Sequence, residues 1–266
     1  MSTNVKQLFE KIWNQYVEVT PSAERVHALL ANGKEVINDH VAYRTFNLSK
    51  VNLDTLAHHL MELGYKECGE YHFEAKKLYA KHFEHADSTL PKVFISELLV
   101  EKLSPEAQII INRIVADIDH KLMDDANILY AGRIWDISHD EYQLLAKESE
   151  YAAWLSAWGF RANHFTVSIN HLNDFNCIKE VNQAIKDGGF RLNNIGGEIK
   201  GDETVMLEQS STMADKAQVR FKEGMVEIPS CFYEFAKRYP KLNGQIYTGF
   251  VAASADKIFE STNNGN

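Results

Sequence analysis

Asn38–Phe46 reads NDHVAYRTF, and how that stretch is read decides the fold. Its apolar and β-branched residues predict a buried strand, yet it carries His40 and Arg44, which a strand does not need. Four residues apart on a period-two ladder, these two side chains share one face. Arg161–Ile169, RANHFTVSI, repeats the pattern with His164 set in an apolar strand. Thr204–Ser211, TVMLEQSS, places one carboxylate, Glu208, inside an apolar run. If the three strands meet, two imidazoles and one carboxylate can hold a metal, with Arg44 beside it for an anionic substrate.

The flanking sequence agrees with a sheet assembled around these strands. Val5, Leu8, Phe9, Ile12, Trp13, Tyr16 and Val17 fall at helical spacing, and Thr20-Pro21 opens a second helix that Asn32-Gly33 stops. After NDHVAYRTF comes NLDTLAHHLMELGY, with Asn52 as cap, an apolar stripe at Leu53, Leu56, Leu60 and Leu63, and Gly64 as stop. Short β-like runs follow at Glu70–Phe73, Lys77–Phe83 and Lys92–Leu99, so the order is β-α-β-β-β. Residues 101–158 are helical in pattern, with Ser104-Pro105-Glu106 starting one helix and a Ser138/Glu141 capping box starting another. From Gly159 the β-α-β-β-β grammar returns through a helix ending at Gly188-Gly189 and short strands at Phe190–Leu192, Glu198–Lys200, Thr204–Gln209 and Gln218–Phe221. A His-bearing strand opens each half, which marks a degenerate internal repeat.

The expected class is α+β: two βαβββ modules forming one curved sheet, with N-terminal helices and a helical insertion. The boundaries within one domain, 1–266, are about 34–100 for module one, 101–158 for the insertion and 159–225 for module two. A C-terminal segment of about 226–260, including Ile228–Tyr239, is expected to be helical, and Ser261–Asn266 is expected to be disordered.

Composition narrows the partners. The chain has 266 residues and 45% hydrophobic residues, enough for a large core, and a net charge of −9. That balance argues against nucleic acid or an anionic membrane as partner and makes a single well-placed Arg more informative. No apolar run reaches the length of a membrane-spanning helix and the first residues lack signal-peptide character, so a cytoplasmic location is expected. Cys68, Cys177 and Cys231 are widely spaced, without CxxC, and read as buried thiols.

Two imidazoles and one carboxylate leave open positions on a metal, the arrangement used by non-haem iron(II) oxygenases. Each piece has an ordinary alternative. A strand His is often a satisfied core residue, and Glu208 could pair with Arg161 or Arg220. The equivalent placement of His40 and His164 in two modules favours the ligand reading. Glu97, in FISELL, takes the matching place in module one and could be a fourth ligand, a partner to the ligands or an edge residue. His58 and His59 read as surface residues, and His82 and His85 as solvated.

DHVAYRTF, RANHFTVS, VMLEQSSTMA and IPSCFYEFAKRYP, in that order, resemble the 2-oxoadipate dioxygenase/decarboxylase family, also called D-2-hydroxyglutarate synthases and once known only as domain of unknown function 1338. The paired modules resemble the wider vicinal oxygen chelate superfamily. The resemblance covers about residues 5–260. It implies Fe(II), or another divalent ion after purification, on His40, His164 and Glu208, with Arg44 clamping a substrate carboxylate. It implies a 2-oxo dicarboxylic acid and O2 as partners: 2-oxoadipate converted to 2-hydroxyglutarate with release of two CO2, in lysine catabolism. Characterised members are longer than this chain. The alternatives are a glyoxalase-like isomerase, lyase or hydrolase using Glu97 as fourth ligand, and a metal-free binding protein that kept the fold.

Overall fold

The structure is a computed structural model and describes residues 2–262. Two helices, α1 (Ser2–Glu18) and α2 (Pro21–Ala31), precede the first module. That module runs β1 (Asn38–Phe46), α3 (Leu53–Glu62), β2 (Lys66–Phe73), β3 (Leu78–Glu84) and β4 (Lys92–Leu98). Four helices follow: α4 (Pro105–Ala116), α5 (His120–Met123), α6 (His139–Glu148) and α7 (Glu150–Trp158). The second module runs β5 (Ala162–Ser168), α8 (Ile178–Asp187), β6 (Lys200–Asp202) and β7 (Leu207–Ser211), then a separate hairpin, β8 (Lys216–Phe221) with β9 (Gly224–Pro229), and finally β10 (Phe232–Arg238). Helix α9 (Ala252–Ile258) and a 3-10 turn (Phe259–Thr262) are the last elements among the described residues.

Among the described residues the main sheet has eight strands in the order β2-β3-β4-β1-β5-β10-β7-β6. The order shows the repeat directly. β1 pairs in parallel with β4, β5 pairs in parallel with β10, and the modules join where β1 runs antiparallel to β5. The two His-bearing strands are therefore the central pair of the sheet. Both are buried along nearly their whole length, which explains why they read as continuous apolar runs.

Local signals act as their chemistry requires. Asn52 accepts from the Thr55 N–H at 2.9 Å and caps α3. Ser138 and Glu141 close a reciprocal capping box at the start of α6. Gly159 ends α7 at φ 69°, and a Cβ there would meet the Gly132 carbonyl at 2.3 Å, so only glycine fits. Helix α1 lies on the back of the sheet, with Trp13 edge-on to Phe165 at 5.1 Å and the Tyr16 hydroxyl donating to the Phe232 carbonyl.

Several expectations need correction. Ile228–Tyr239 is not helical, because Phe232–Arg238 forms β10 at the heart of the sheet. Its apolar residues at 228, 232, 235 and 236 mimic helical spacing. A strand buried on both faces loses the alternation that would betray it. Ser261 and Thr262 are buried, and the Ser261 hydroxyl lies 2.8 Å from that of Ser211, so the expected disorder does not begin there. Residues 263–266 lie outside the described residues. His59 is buried and bonds the Met123 carbonyl at 2.8 Å, and His82 is also buried. Cys68 is exposed, while Cys231 is buried.

Candidate metal centre

Register alone brings the two histidines together. Across the β1–β5 seam Ala42 opposes His164 and His40 opposes Thr166, so the imidazoles are diagonal neighbours on one face. Their rings are 5.7 Å apart and close to perpendicular. The next strand, β10, sets Phe232 beside His164 and Glu234 beside Thr166. The Glu234 carboxylate then reaches both rings, with Oε2 3.1 Å from His164 Nε2 and Oε1 3.7 Å from His40 Nε2. His40, His164 and Glu234 are all buried, and one donor atom from each lies within 4.8 Å of the others.

The carboxylate of this cluster is Glu234 and not Glu208. The reason is strand periodicity. On β7, Gln209 faces the cluster and its amide donates to Glu234 Oε1 at 2.6 Å. Glu208, one residue earlier, must point to the other face. It accepts from the Tyr239 hydroxyl at 2.7 Å and is only partly buried. Glu97 is also turned away from the cluster. Phe94 and Ser96 of β4 line the cavity, so their odd-numbered neighbour faces outward, where its carboxylate accepts from the Leu53 N–H at 2.8 Å at the start of α3. The equivalent of β10 in module one is β4, and the position matching Glu234 is Phe94, two residues beyond the partner of each His.

Neighbouring polar groups set how the imidazoles face the cluster. His40 Nδ1 donates to Asp39 Oδ1 at 2.8 Å, and Asp39 is held in turn by a buried fork from Arg238, Nε to Oδ2 at 2.7 Å and Nη2 to Oδ1 at 2.9 Å. His164 Nδ1 lies 3.1 Å from Asn163 Oδ1. In each module the residue before the His thus takes Nδ1 and turns Nε2 toward the cluster, where His40 Nε2 also lies 3.0 Å from the Thr166 hydroxyl; such tethering of Nδ1 is common to metal-ligating histidines. Burial alone would raise Asp39, but the Arg238 guanidinium and the His40 imidazole outweigh it and hold the carboxyl well below the usual range. Burial lowers His164, which keeps that ring neutral as a ligand must be. Glu234 is pushed up by burial and pulled down further by the two imidazoles and Gln209, so it is ionised.

The donor set fits a divalent cation. Glu234 Oε2 is buried with no hydrogen bond among the described residues. With His164 Nδ1 donating to Asn163, the Nε2 lone pair faces that same oxygen at 3.1 Å. Two such atoms facing each other in a buried site form a place that a divalent cation can occupy. An unpaired buried carboxylate would otherwise cost several kcal/mol.

Arg44 lies on the same β1 face as His40 and Ala42 and lines the same cavity. Its Nη1 donates to Glu150 Oε1 at 2.9 Å and its Nη2 to the Thr262 hydroxyl at 3.2 Å. The guanidinium also stacks over Tyr151 and Trp154, 4.9 and 5.0 Å from their ring centres. Glu150, Tyr151 and Trp154 all come from α7, so the helical insertion builds the surroundings of this arginine. Phe250, Ala255 and Ile258 from the C-terminal segment close the cavity, and the Phe250 ring stands edge-on to His40 at 4.8 Å.

Residues 2–245 match the family model described as 2-oxoadipate dioxygenase/decarboxylase. The chain belongs to the 2-oxoadipate dioxygenase/decarboxylase family. The rice member, a chloroplastic/amyloplastic 2-oxoadipate dioxygenase/decarboxylase, is 35% identical over 94% of this chain and 76% of its own length. The crystal structure of the rice (Oryza sativa) hydroxyglutarate synthase with 2-oxoadipate superposes with a TM-score of 0.93 at 32% identity, over 98% of this chain and 93% of that one. A Shewanella frigidimarina protein carrying a provisional hydrolase name is 58% identical with a TM-score of 0.91, over 94% and 98% of the two chains. At the level of fold, a Ralstonia eutropha protein assigned to the glyoxalase superfamily superposes with a TM-score of 0.73 at 19% identity, over 92% and 85%. This member of the dioxygenase/decarboxylase family is therefore an enzyme on a vicinal-oxygen-chelate-like scaffold. No described helix is long and apolar enough to cross a membrane.

Sequence reasoning missed Glu234 although the signal was present. CFYEFAK sets a carboxylate in an apolar run, the same criterion that singled out Glu208. Reading the segment as a helix removed it from the candidates. Asp39 and Asn163 also left a trace, since each immediately precedes one of the two strand histidines.

Proposed function

We propose that the protein is an Fe(II)-dependent 2-oxoadipate dioxygenase/decarboxylase, with His40, His164 and Glu234 as metal ligands and Arg44 as the clamp for the distal substrate carboxylate. The observation that carries this reading is the buried, hydrogen-bond-free Glu234 Oε2 facing two outwardly tethered imidazoles in a cavity bordered by an arginine. Iron bound there would supply the redox chemistry with dioxygen that side chains lack, together with open positions for a chelating 2-oxoacid.

The rest is done by the chain. Asp39 and Asn163 hold the imidazoles in one orientation, and Gln209 fixes the Glu234 carboxylate. Phe94, Phe250 and Ile258 keep water from the cavity. Arg44 binds the far carboxylate in a fork that Lys cannot reproduce. Carbon balance corrects the expected two CO2. A six-carbon 2-oxoadipate and one O2 give a five-carbon 2-hydroxyglutarate and one CO2. The distal carboxylate survives into the product, which suits a clamp on that end. The four-ligand isomerase or hydrolase reading loses its support, because Glu97 caps α3 instead of facing the cluster.

Anaerobic reconstitution with Fe(II), followed by oxygen uptake and CO2 release, tests the proposal. The expected result is uptake with 2-oxoadipate, one CO2 per O2 and 2-hydroxyglutarate as product. Metal-dependent turnover of 2-oxoadipate without oxygen consumption would overturn it.

A further inference from the structure

The outer hairpin of module one carries a second set of metal-ligating side chains. Strands β2 and β3 pair with a register shift between Glu67 and Gly69, so Cys68 is the extra residue of a β-bulge on the edge strand. Bulges re-aim a side chain, and here the Cys68 thiol comes to the side chains of His82 and Glu84 on β3. One donor atom from each of Cys68, His82 and Glu84 lies within 4.8 Å of the others. Gly69 permits this approach, since a Cβ there would sit 3.0 Å from the His82 ring.

The cluster has the features of a site rather than of a chance surface group. The His82 side chain is 3% exposed and that of Glu84 25%, while Cys68 opens to solvent. His82 Nε2 lies 3.0 Å from Glu84 Oε1, and its Nδ1 lies 2.9 Å from the Tyr71 hydroxyl. A buried imidazole with one nitrogen on a hydroxyl and the other beside a carboxylate, in a cluster that includes a thiol, matches the outer shell of a ligating histidine. Thiolate, imidazole and carboxylate bonds of ~2.0–2.3 Å to a tetrahedral ion put the donors ~3.3–3.8 Å apart. Small side-chain movements reach that geometry from the one observed.

We propose that Cys68, His82 and Glu84 form a second, peripheral site for a divalent cation of the zinc class, separate from the His40–His164–Glu234 cluster. The thiolate selects a softer ion than iron(II), and thiolate, carboxylate and neutral imidazole together balance two positive charges. The thiol proton is released to solvent on binding. The site also touches the cavity wall. Tyr71, which holds His82, accepts the Phe250 backbone N–H at 3.1 Å, and the Phe250 ring lies 5.3 Å from His82 and 4.8 Å from His40. An ion here fixes the hairpin that anchors Phe250.

Cobalt(II) is the probe. The His40 cluster contains no thiol, so a near-ultraviolet thiolate-to-cobalt charge-transfer band reports the peripheral site alone. The full-length, chelator-stripped, reduced protein should develop this band on titration and bind two ions per chain. Cys68→Ser should lose the band and one ion, His164→Ala should keep the band, and Glu84→Gln should weaken cobalt binding tenfold or more. Zinc should raise the melting temperature of His164→Ala but not of the Cys68→Ser/His164→Ala double variant. Absence of the band in the native chain, or its persistence in Cys68→Ser, overturns the proposal.

Discussion

The Gln209 amide donates to the Glu234 carboxylate at 2.6 Å, while Glu208, one residue earlier on the same strand, turns to the Tyr239 hydroxyl. This pair of neighbours separates the two candidate carboxylates. Glu234→Gln should abolish retention of Fe(II) through dialysis and reduce turnover by at least a thousandfold. Glu208→Gln should leave both within a few-fold of the native values. Metal content and oxygen uptake on the two variants side by side decide between them. Iron retained by Glu234→Gln but lost by Glu208→Gln would reverse the assignment.

His164→Ala should lose metal and activity while keeping the fold. The neighbours Phe165, Val167 and Ile169 are buried and hold the strand by burial, each contributing about 1.5–3 kcal/mol. Circular dichroism should be native-like, and the melting temperature of the metal-free variant should match that of the metal-free native protein. Stoichiometric iron in this variant would remove His164 from the ligand set.

Asp39→Asn keeps the size of the side chain but weakens two contacts at once. The His40 imidazole loses its anionic partner, which should lower metal affinity about 10–100-fold. The buried Arg238 fork loses its counter-charge, and a broken buried pair costs ~3–5 kcal/mol. Both losses should appear together, one in competition with a chelator and the other in denaturant unfolding. Unchanged metal affinity in a destabilised protein would confine Asp39 to a structural role.

Arg44→Lys distinguishes a substrate clamp from a structural ion pair. The guanidinium is bonded to Glu150 and Thr262 and lies over the Tyr151 and Trp154 rings, so Lys loses planar contacts in either case. As a clamp, it should lose activity on 2-oxoadipate by a hundredfold or more, chiefly through KM, with Fe(II) affinity unchanged. Full activity per folded molecule, accompanied by a lower melting temperature, contradicts the clamp.

Glu97 offers a prediction about pH. Burial raises its carboxyl above the ordinary value, against the opposing pull of the Leu53 N–H. A carboxyl that binds its proton more tightly when folded stabilises the fold below its unfolded value and loses that contribution as pH rises through the folded one. Glu97→Gln should therefore flatten the stability profile just above the usual carboxylate range and be equal or more stable at neutral pH. Its metal content and turnover should be native, because the side chain faces α3 and not the cluster.

The sequence by itself determined the repeat, the His-bearing strands, the caps and the insertion. These depend on neighbours within a few residues: Asn52 reaches Thr55, Ser138 reaches Glu141, and His40 and Arg44 share a face through strand periodicity alone. Family resemblance, carried by the ordered motifs, supplied the chemistry expected of them. Only the tertiary structure decided which carboxylate meets the two histidines. Glu208 and Glu234 both stand inside apolar runs, and nothing local distinguishes a carboxylate facing two imidazoles from one facing a tyrosine. That choice depends on which strand lies beside β5 and in which register, and a shift of one residue along a strand reverses the face. The same holds for Cys68, whose meeting with His82 and Glu84 rests on one bulged residue in a hairpin pairing. Local spacing cannot report such a contact, because the groups that make it are set by the partner strand.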